Sequence, residues 1–66
     1  MNFSERLSIY VGQNVEVFLA NNFYTGELLS VGDGVFTVRV SDQSYYNPPN
    51  DVTIFQSNVE FVRILV

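Results

Sequence analysis

Apolar and polar residues alternate with a period of two along most of the chain beyond residue 13. In the first such run, NVEVFLA at 14–20, Val15, Val17 and Leu19 share one side. Successive side chains of a β-strand point to opposite faces, so this period predicts strands rather than helices. Turn-forming residues interrupt the alternation and divide it into five predicted strands, at about 14–20, 23–31, 35–41, 51–56 and 59–65.

The segment before the first strand has a different period. Its apolar residues recur at helical spacing and would form one stripe: Phe3, Leu7, Tyr10 and Val11. Asn2 can accept a hydrogen bond from the amide of Glu5, and Gly12 tolerates the left-handed conformation that ends many helices. We therefore predict a short helix over about 2–11, with its stripe packed against the sheet.

Gly26 stands inside the second predicted strand. Glycine within a strand usually marks a bulge or a tight bend, because it has no side chain to pack. A small closed barrel needs such a bend to fold one sheet back on itself. We expect Leu28 and Val31 to face the core, and the whole chain, 1–66, to form one mainly β domain. Its predicted architecture is a small barrel of five strongly bent antiparallel strands with a short N-terminal helix.

Composition narrows the possible chemistry. The 66 residues include seven acids and three arginines, giving a net charge of -4, and no Lys, His or Cys. Disulfides, thiolate and imidazole metal sites and the usual catalytic constellations therefore cannot be built. We expect a protein that is not an enzyme and that uses no cofactor or metal ion. The acidic balance disfavours RNA binding through phosphate charge, although a few arginines and stacked aromatic rings can still contact RNA.

So short a chain seldom builds a stable core without a further constraint. Self-association is the constraint that this composition leaves, and the last predicted strand is apolar on both faces, which suits contact with a second copy. No other protein partner is indicated. No apolar run approaches the length of a membrane span, and the N-terminus lacks the order of a signal peptide. We therefore expect a cytoplasmic protein that does not enter membranes.

Several residues are candidates for contact with a ligand or partner. Tyr45 and Tyr46 give rigid aromatic area on the irregular stretch 41–50, and one of them can equally fold down over the barrel end. Arg39 and Arg63 can face a pore or an anion, but ion pairing with Glu16, Glu27 or Glu60 explains them as well. Asn58 lies at a turn tip, where it can read a base edge or simply form the turn.

The order of one helix and five short strands, with a glycine bend in the second, resembles the Sm-like (LSm) small-barrel superfamily. Gly26, Leu28 and Asp33 occupy the spacing of that family's first motif. Phe36 stands where the family has an RNA-contacting Asn, and the turn 55–58 lacks the Arg-Gly of its second motif. Phe36 is therefore a further candidate for contact with a ligand or partner.

The resemblance implies a divergent Sm-like protein that lacks the usual RNA-contacting residues. It predicts self-association through edge strands into a homo-oligomer, of which a ring is one form, and a role as a non-enzymatic binding scaffold. The alternative is an RNA-binding Sm-like ring with a non-standard site.

Overall fold

The computed structural model describes residues 2–40 and 50–65, which form one short helix and one open sheet of five antiparallel strands. The elements are α1 (Phe3–Ser8), β1 (Asn14–Leu19), β2 (Phe23–Gly32), β3 (Val35–Val40), β4 (Asn50–Phe55) and β5 (Val59–Ile64). A single turn of 3₁₀-helix, Gln56–Asn58, joins the last two strands. The mainly β class is confirmed. Strand ends differ from the predicted ones by about one residue, as is usual for such boundaries, and residue 41 lies outside the described residues.

The sheet has the strand order β4-β3-β2-β1-β5. Within the described residues, β4 and β5 lie at its two edges, and each pairs with one strand only. The predicted closure into a barrel is therefore not observed in the single chain. Gly26 lets β2 and β3 approach closely, but closure into a barrel also needs β4 and β5 to meet.

The core lies on one face of the sheet and is covered by α1. Its buried side chains come from the helix and from four strands: Leu7, Val15, Val17, Leu28, Phe36, Val38 and Ile54. Val31 packs against this cluster. The predicted core positions Leu28 and Val31 thus both face inward.

Polar contacts fix α1 at its start. Asn2 Oδ1 accepts a hydrogen bond from the Glu5 amide at 2.8 Å, which confirms the predicted cap. Ser4 Oγ accepts from the Gly34 amide and donates to Gln56 Oε1, both at 3.3 Å. Since the Gln56 amide also donates to the Gly34 carbonyl at 2.9 Å, Ser4 ties the helix to two turns that are distant in sequence.

The helix ends at Ser8, three residues before its predicted end. Beyond it, the Tyr10 amide donates to the Leu7 carbonyl, a residue only three positions earlier, which is the bond of a tighter turn. Gly12, with φ +96°, then donates its amide to the Leu28 carbonyl at 2.8 Å. This bond draws the chain onto β2 and prevents the helix from continuing.

Gly26 allows β2 and β3 to approach unusually closely. It lies opposite Val40 in the register. A Cβ atom at this position would overlap the carbonyl oxygen of Arg39 and lie 2.7 Å from its carbonyl carbon. The prediction of a special backbone position at Gly26 is therefore supported by a contact that no other residue type permits.

A bulge at Leu29 follows three residues later. The register passes from Leu28 opposite Val38 to Ser30 opposite Thr37, so Leu29 has no residue opposite it. The extra residue lets Leu28 and Val31 face the core although they are an odd number of residues apart, whereas an unbroken strand would place them on opposite faces.

Candidate interaction site

Three phenylalanines form a stacked row on the outer face of the sheet, the face opposite the core. Phe18 lies opposite Phe23 of β2 and Phe61 of β5. Its ring centroid is 5.7 Å from that of Phe23 and 4.4 Å from that of Phe61, with interplanar angles of 20° and 17°. Phe23 and Phe61 are 58% and 54% exposed. This aromatic row is an exposed apolar surface of the kind that serves recognition.

Two ion pairs lie on the same outer face. Arg63 pairs with Glu16 of the neighbouring strand, with Nε 2.6 Å from Oε1, and Glu16 is one of the partners expected from the sequence. Arg39 lies directly opposite both Glu27 of β2 and Asp51 of β4, and it pairs with Asp51 at 3.2 Å. Both arginines are exposed, and a nearby carboxylate partly neutralises each, which weakens their attraction for phosphate.

An apolar groove of about 670 Å³ runs between α1 and the free edge of β5. Its apolar lining comes from both elements and the turn after the helix: Phe3, Leu7, Ile9, Tyr10, Phe61, Val62 and Ile64. Arg6 and Glu60 add one charge of each sign. Ile9 is 66% exposed, so the groove presents hydrophobic side chains that the described residues leave uncovered.

The remaining predicted contact residues differ in burial and in whether they belong to the described part of the chain. Phe36 is only 2% exposed and its ring lies 6.3 Å from that of Phe3, so it packs the core and offers no surface contact. This corrects its place among the candidates, and the reason is that alternation along β3 turns Phe36 inward with Val38. Asn58 is exposed in the 3₁₀ turn. Tyr45 and Tyr46 lie outside the described residues.

The described acidic residues do not gather into a metal site. Among residues 2–40 and 50–65, no group of three or more Asp or Glu side chains is placed to hold a metal ion. In the same part of the chain, no helix has the length and apolarity needed to cross a bilayer.

The aromatic row was not predicted from the sequence. Strand alternation alone places Phe18 on the side of Glu16 and Phe61 on the side of Arg63, and therefore on the outer face. That signal shows which face each ring occupies. It does not show that the rings stack, because stacking depends on the register between β1 and β5, and 43 residues separate Phe18 from Phe61 in the chain.

The part of the chain that the structure describes is a small mainly β fold with two free sheet edges, an aromatic row and an apolar groove along one edge. No protein-family model, curated protein or solved structure matches the chain.

Proposed function

We propose that this chain is a divergent Sm-like protein that self-associates through its edge strands into a homo-oligomer and acts as a binding scaffold. The observation that carries the proposal is that, within residues 2–40 and 50–65, β4 and β5 each pair with one strand only and so leave a free edge. An exposed strand edge is a row of backbone donors and acceptors without partners, and it pairs readily with another strand.

The hydrogen bonds of the sheet show which residues supply the free edge of β5. The Leu65 amide donates to the Asn14 carbonyl at 2.9 Å, so the pair of residues 65 and 14 is a hydrogen-bonded one. Bonded and non-bonded pairs alternate in an antiparallel ladder. The backbone amide and carbonyl of Arg63 therefore bond to β1, while those of Val62 and Ile64 point away from β1. These two residues supply the donors and acceptors of the edge.

The free edge of β4 follows from the same alternation. The Gln56 amide donates to the Gly34 carbonyl at 2.9 Å, so these two residues form a hydrogen-bonded pair. Because bonded and non-bonded pairs alternate, Ile54 and Phe36 form the next bonded pair. Asp51, Thr53 and Phe55 then point their backbone groups outward. Phe55 is 59% exposed, so this edge also carries a large apolar side chain.

The Sm-like part of the proposal rests on local features. One short helix precedes five antiparallel strands, and the close approach at Gly26 lies in the second strand. These features support the resemblance given by Gly26, Leu28 and Asp33. Fold alone does not fix function, and the scaffold role follows from the surfaces that an oligomer would present, the aromatic row among them.

Size-exclusion chromatography with light scattering at micromolar concentration tests self-association. The expected mass is two or more times the 7.5 kDa of a single chain. A clean monomer at 7.5 kDa throughout the concentration series would contradict the proposal.

Thr53→Pro and Thr53→Val are matched variants for the β4 edge. Proline removes the outward amide of residue 53 without removing a bond to β3, and proline is tolerated on edge strands. Valine keeps the amide and favours the strand. We expect Thr53→Pro to lower the mass towards the monomer and Thr53→Val to leave it unchanged. Equal behaviour of the two variants would show that β4 is not the associating edge.

The aromatic row favours a second candidate function, RNA binding by an Sm-like oligomer. Exposed aromatic rings can stack on bases, worth about 1–3 kcal/mol per base, and Arg63 lies two residues from Phe61. The net charge of -4 and the pairing of Arg39 and Arg63 with carboxylates weaken this candidate.

Titration of fluorescently labelled oligo-U and oligo-A at low salt separates the two functions. A dissociation constant below about 1 μM supports RNA binding. The affinity should then fall when Arg63, Arg39 or Phe61 is replaced by Ala. Absence of binding even at low salt leaves the scaffold function.

A further inference from the structure

The two free edges differ in the face on which their side chains lie. On β5, Val62 and Ile64 carry the outward backbone groups, and both side chains pack against the core side of the sheet. On β4, Thr53 and Phe55 carry the outward backbone groups, and their side chains lie on the outer face, since Ile54 between them is buried. The residues that supply the free hydrogen-bonding groups thus have side chains on the core side at β5 and on the outer face at β4.

This difference determines how a second copy can dock. In an antiparallel pair, residues that are directly opposite have their side chains on the same face of the shared sheet. Pairing β4 of one subunit with β5 of the next therefore brings outer-face side chains of β4 beside core-face side chains of β5. Phe55, exposed on its own subunit, would then lie beside Val62 of its neighbour, at the wall of the apolar groove.

From this geometry we propose that Phe55 of one subunit fills the groove between α1 and β5 of the next. Phe55 lies opposite Val62, and Thr53 opposite Ile64, because this register joins both outward pairs of residues by backbone hydrogen bonds. The inference rests on the proposed self-association and adds its contact residues.

The groove suits a phenylalanine side chain in size and in chemistry. Its lining is mainly apolar, and a volume of about 670 Å³ accommodates one aromatic ring together with part of the strand that carries it. Burial of a large aromatic ring in a pocket is characteristic of residues that dominate binding energy at interfaces. One contact would cover the exposed Phe55, the exposed Ile9 and both strand edges.

A symmetric contact between two β4 edges is the main competing arrangement. It would place Phe55 of each copy on the outer face, close to its counterpart, and would leave the groove empty. The two arrangements bring different residues together, so cross-linking distinguishes them.

The chain contains no cysteine, which makes introduced cysteines unambiguous reporters. Ile9→Cys and Phe55→Cys are prepared singly and together. Because loss of the Phe55 ring itself weakens association, each variant is treated with a short bifunctional maleimide at a concentration at which light scattering shows that the variant is still oligomeric. Both positions are exposed, 66% and 59%, so the variants are expected to fold. We expect the double variant to give a ladder of covalent multimers and each single variant to remain monomeric on a denaturing gel.

Two results would contradict the groove contact while leaving the proposed self-association intact. One is an oligomeric double variant that does not cross-link between chains. The other is a dimer formed by Phe55→Cys alone, which indicates pairing between two β4 edges. A monomeric wild type would instead overturn the proposed self-association itself.

Serine substitutions supply a second, independent measurement. Phe55→Ser and Phe23→Ser remove the same side chain at nearly equal exposure, 59% and 58%, but Phe23 belongs to the interior strand β2. We expect Phe55→Ser to weaken association by about tenfold or more and Phe23→Ser to change it little. Equal effects of the two variants would contradict the proposed contact.

Discussion

The backbone carbonyl group of Arg39 lies so close to Gly26 that it leaves no space for a side chain on residue 26. A Cβ at Gly26 would lie 2.7 Å from the carbonyl carbon of Arg39. Because backbone atoms cannot move aside as a flexible side chain can, Gly26→Ala must force β2 and β3 apart. We expect it to cost several kcal/mol, a large part of the roughly 3–10 kcal/mol that a domain of this size has.

Gly34→Ala is the control for this prediction. Gly34 has φ +74° and no atom within 4 Å of an added Cβ, so alanine there carries only the cost of a left-handed conformation, about 1–2 kcal/mol. Urea unfolding followed by circular dichroism, at one fixed protein concentration, compares the two. A loss at Gly26 no larger than that at Gly34 would contradict the close approach.

Phe36→Ala tests the assignment of Phe36 to the core. Phe36 is 2% exposed, so its truncation leaves a cavity and should reduce the free energy of unfolding by about 3–5 kcal/mol. The same substitution at Phe23, which is 58% exposed, should cost about 1 kcal/mol or less. Equilibrium unfolding of both variants measures the difference, and similar losses would place Phe36 at the surface.

Ser4→Ala tests the junction between α1 and the two turns. The variant loses the hydrogen bonds of Ser4 Oγ with Gly34 and Gln56, and we expect a loss of about 1–2 kcal/mol. Ser8→Ala is the matched control, because Ser8 Oγ donates only to the Glu5 carbonyl within the same exposed helix and should change stability by no more than about 0.5 kcal/mol. Thermal unfolding of the two variants side by side shows whether the junction matters.

The two ion pairs of the outer face should differ in strength. The Glu16 side chain is 18% exposed although its partner Arg63 is 64% exposed, whereas Arg39 and Asp51 are 50% and 53% exposed. Less solvent around Glu16 means less screening, so we expect a coupling energy of about 0.5–1 kcal/mol for Arg63 and Glu16 and a smaller one for the other pair.

Double-mutant cycles with Arg63→Gln and Glu16→Gln, and with Arg39→Gln and Asp51→Asn, measure these couplings. The coupling of the first pair should fall in high salt. A coupling of zero for Arg63 and Glu16 at low salt would show that this contact contributes nothing to stability.

Alternation along the chain was enough to predict the five strands and the common face of Val15 and Val17, since each depends only on neighbouring residues. The end of α1 could not be predicted in the same way. The apolar stripe continues to Val11, but the bond from Gly12 to Leu28 ends the helix earlier, and that bond belongs to the tertiary structure. Local pattern identified the elements, and long-range hydrogen bonds determined their ends.

The candidate site was harder to predict because it depends on register. The sequence indicates Glu16, Glu27 or Glu60 as the partner of Arg39, whereas the pairing of β3 with β4 brings Asp51 opposite it. The aromatic row likewise requires Phe18 to meet Phe61 from the far end of the chain. A family position led to Phe36 as a contact, whereas the alternation within β3 already indicated an inward side chain.

The bulge at Leu29 gives β2 one place where its length can change without harm to the fold. Deletion of a residue farther from the bulge, such as Thr25, would exchange the inward and outward side chains on one side of the deletion, so the hairpin could not keep both its hydrogen bonds and its core. Residues 28 and 29 are both leucine, so deletion of either gives the same chain. Deletion of Leu29 leaves Leu28 opposite Val38 and Ser30 opposite Thr37. Single-residue gains and losses in this hairpin should therefore accumulate at that one position.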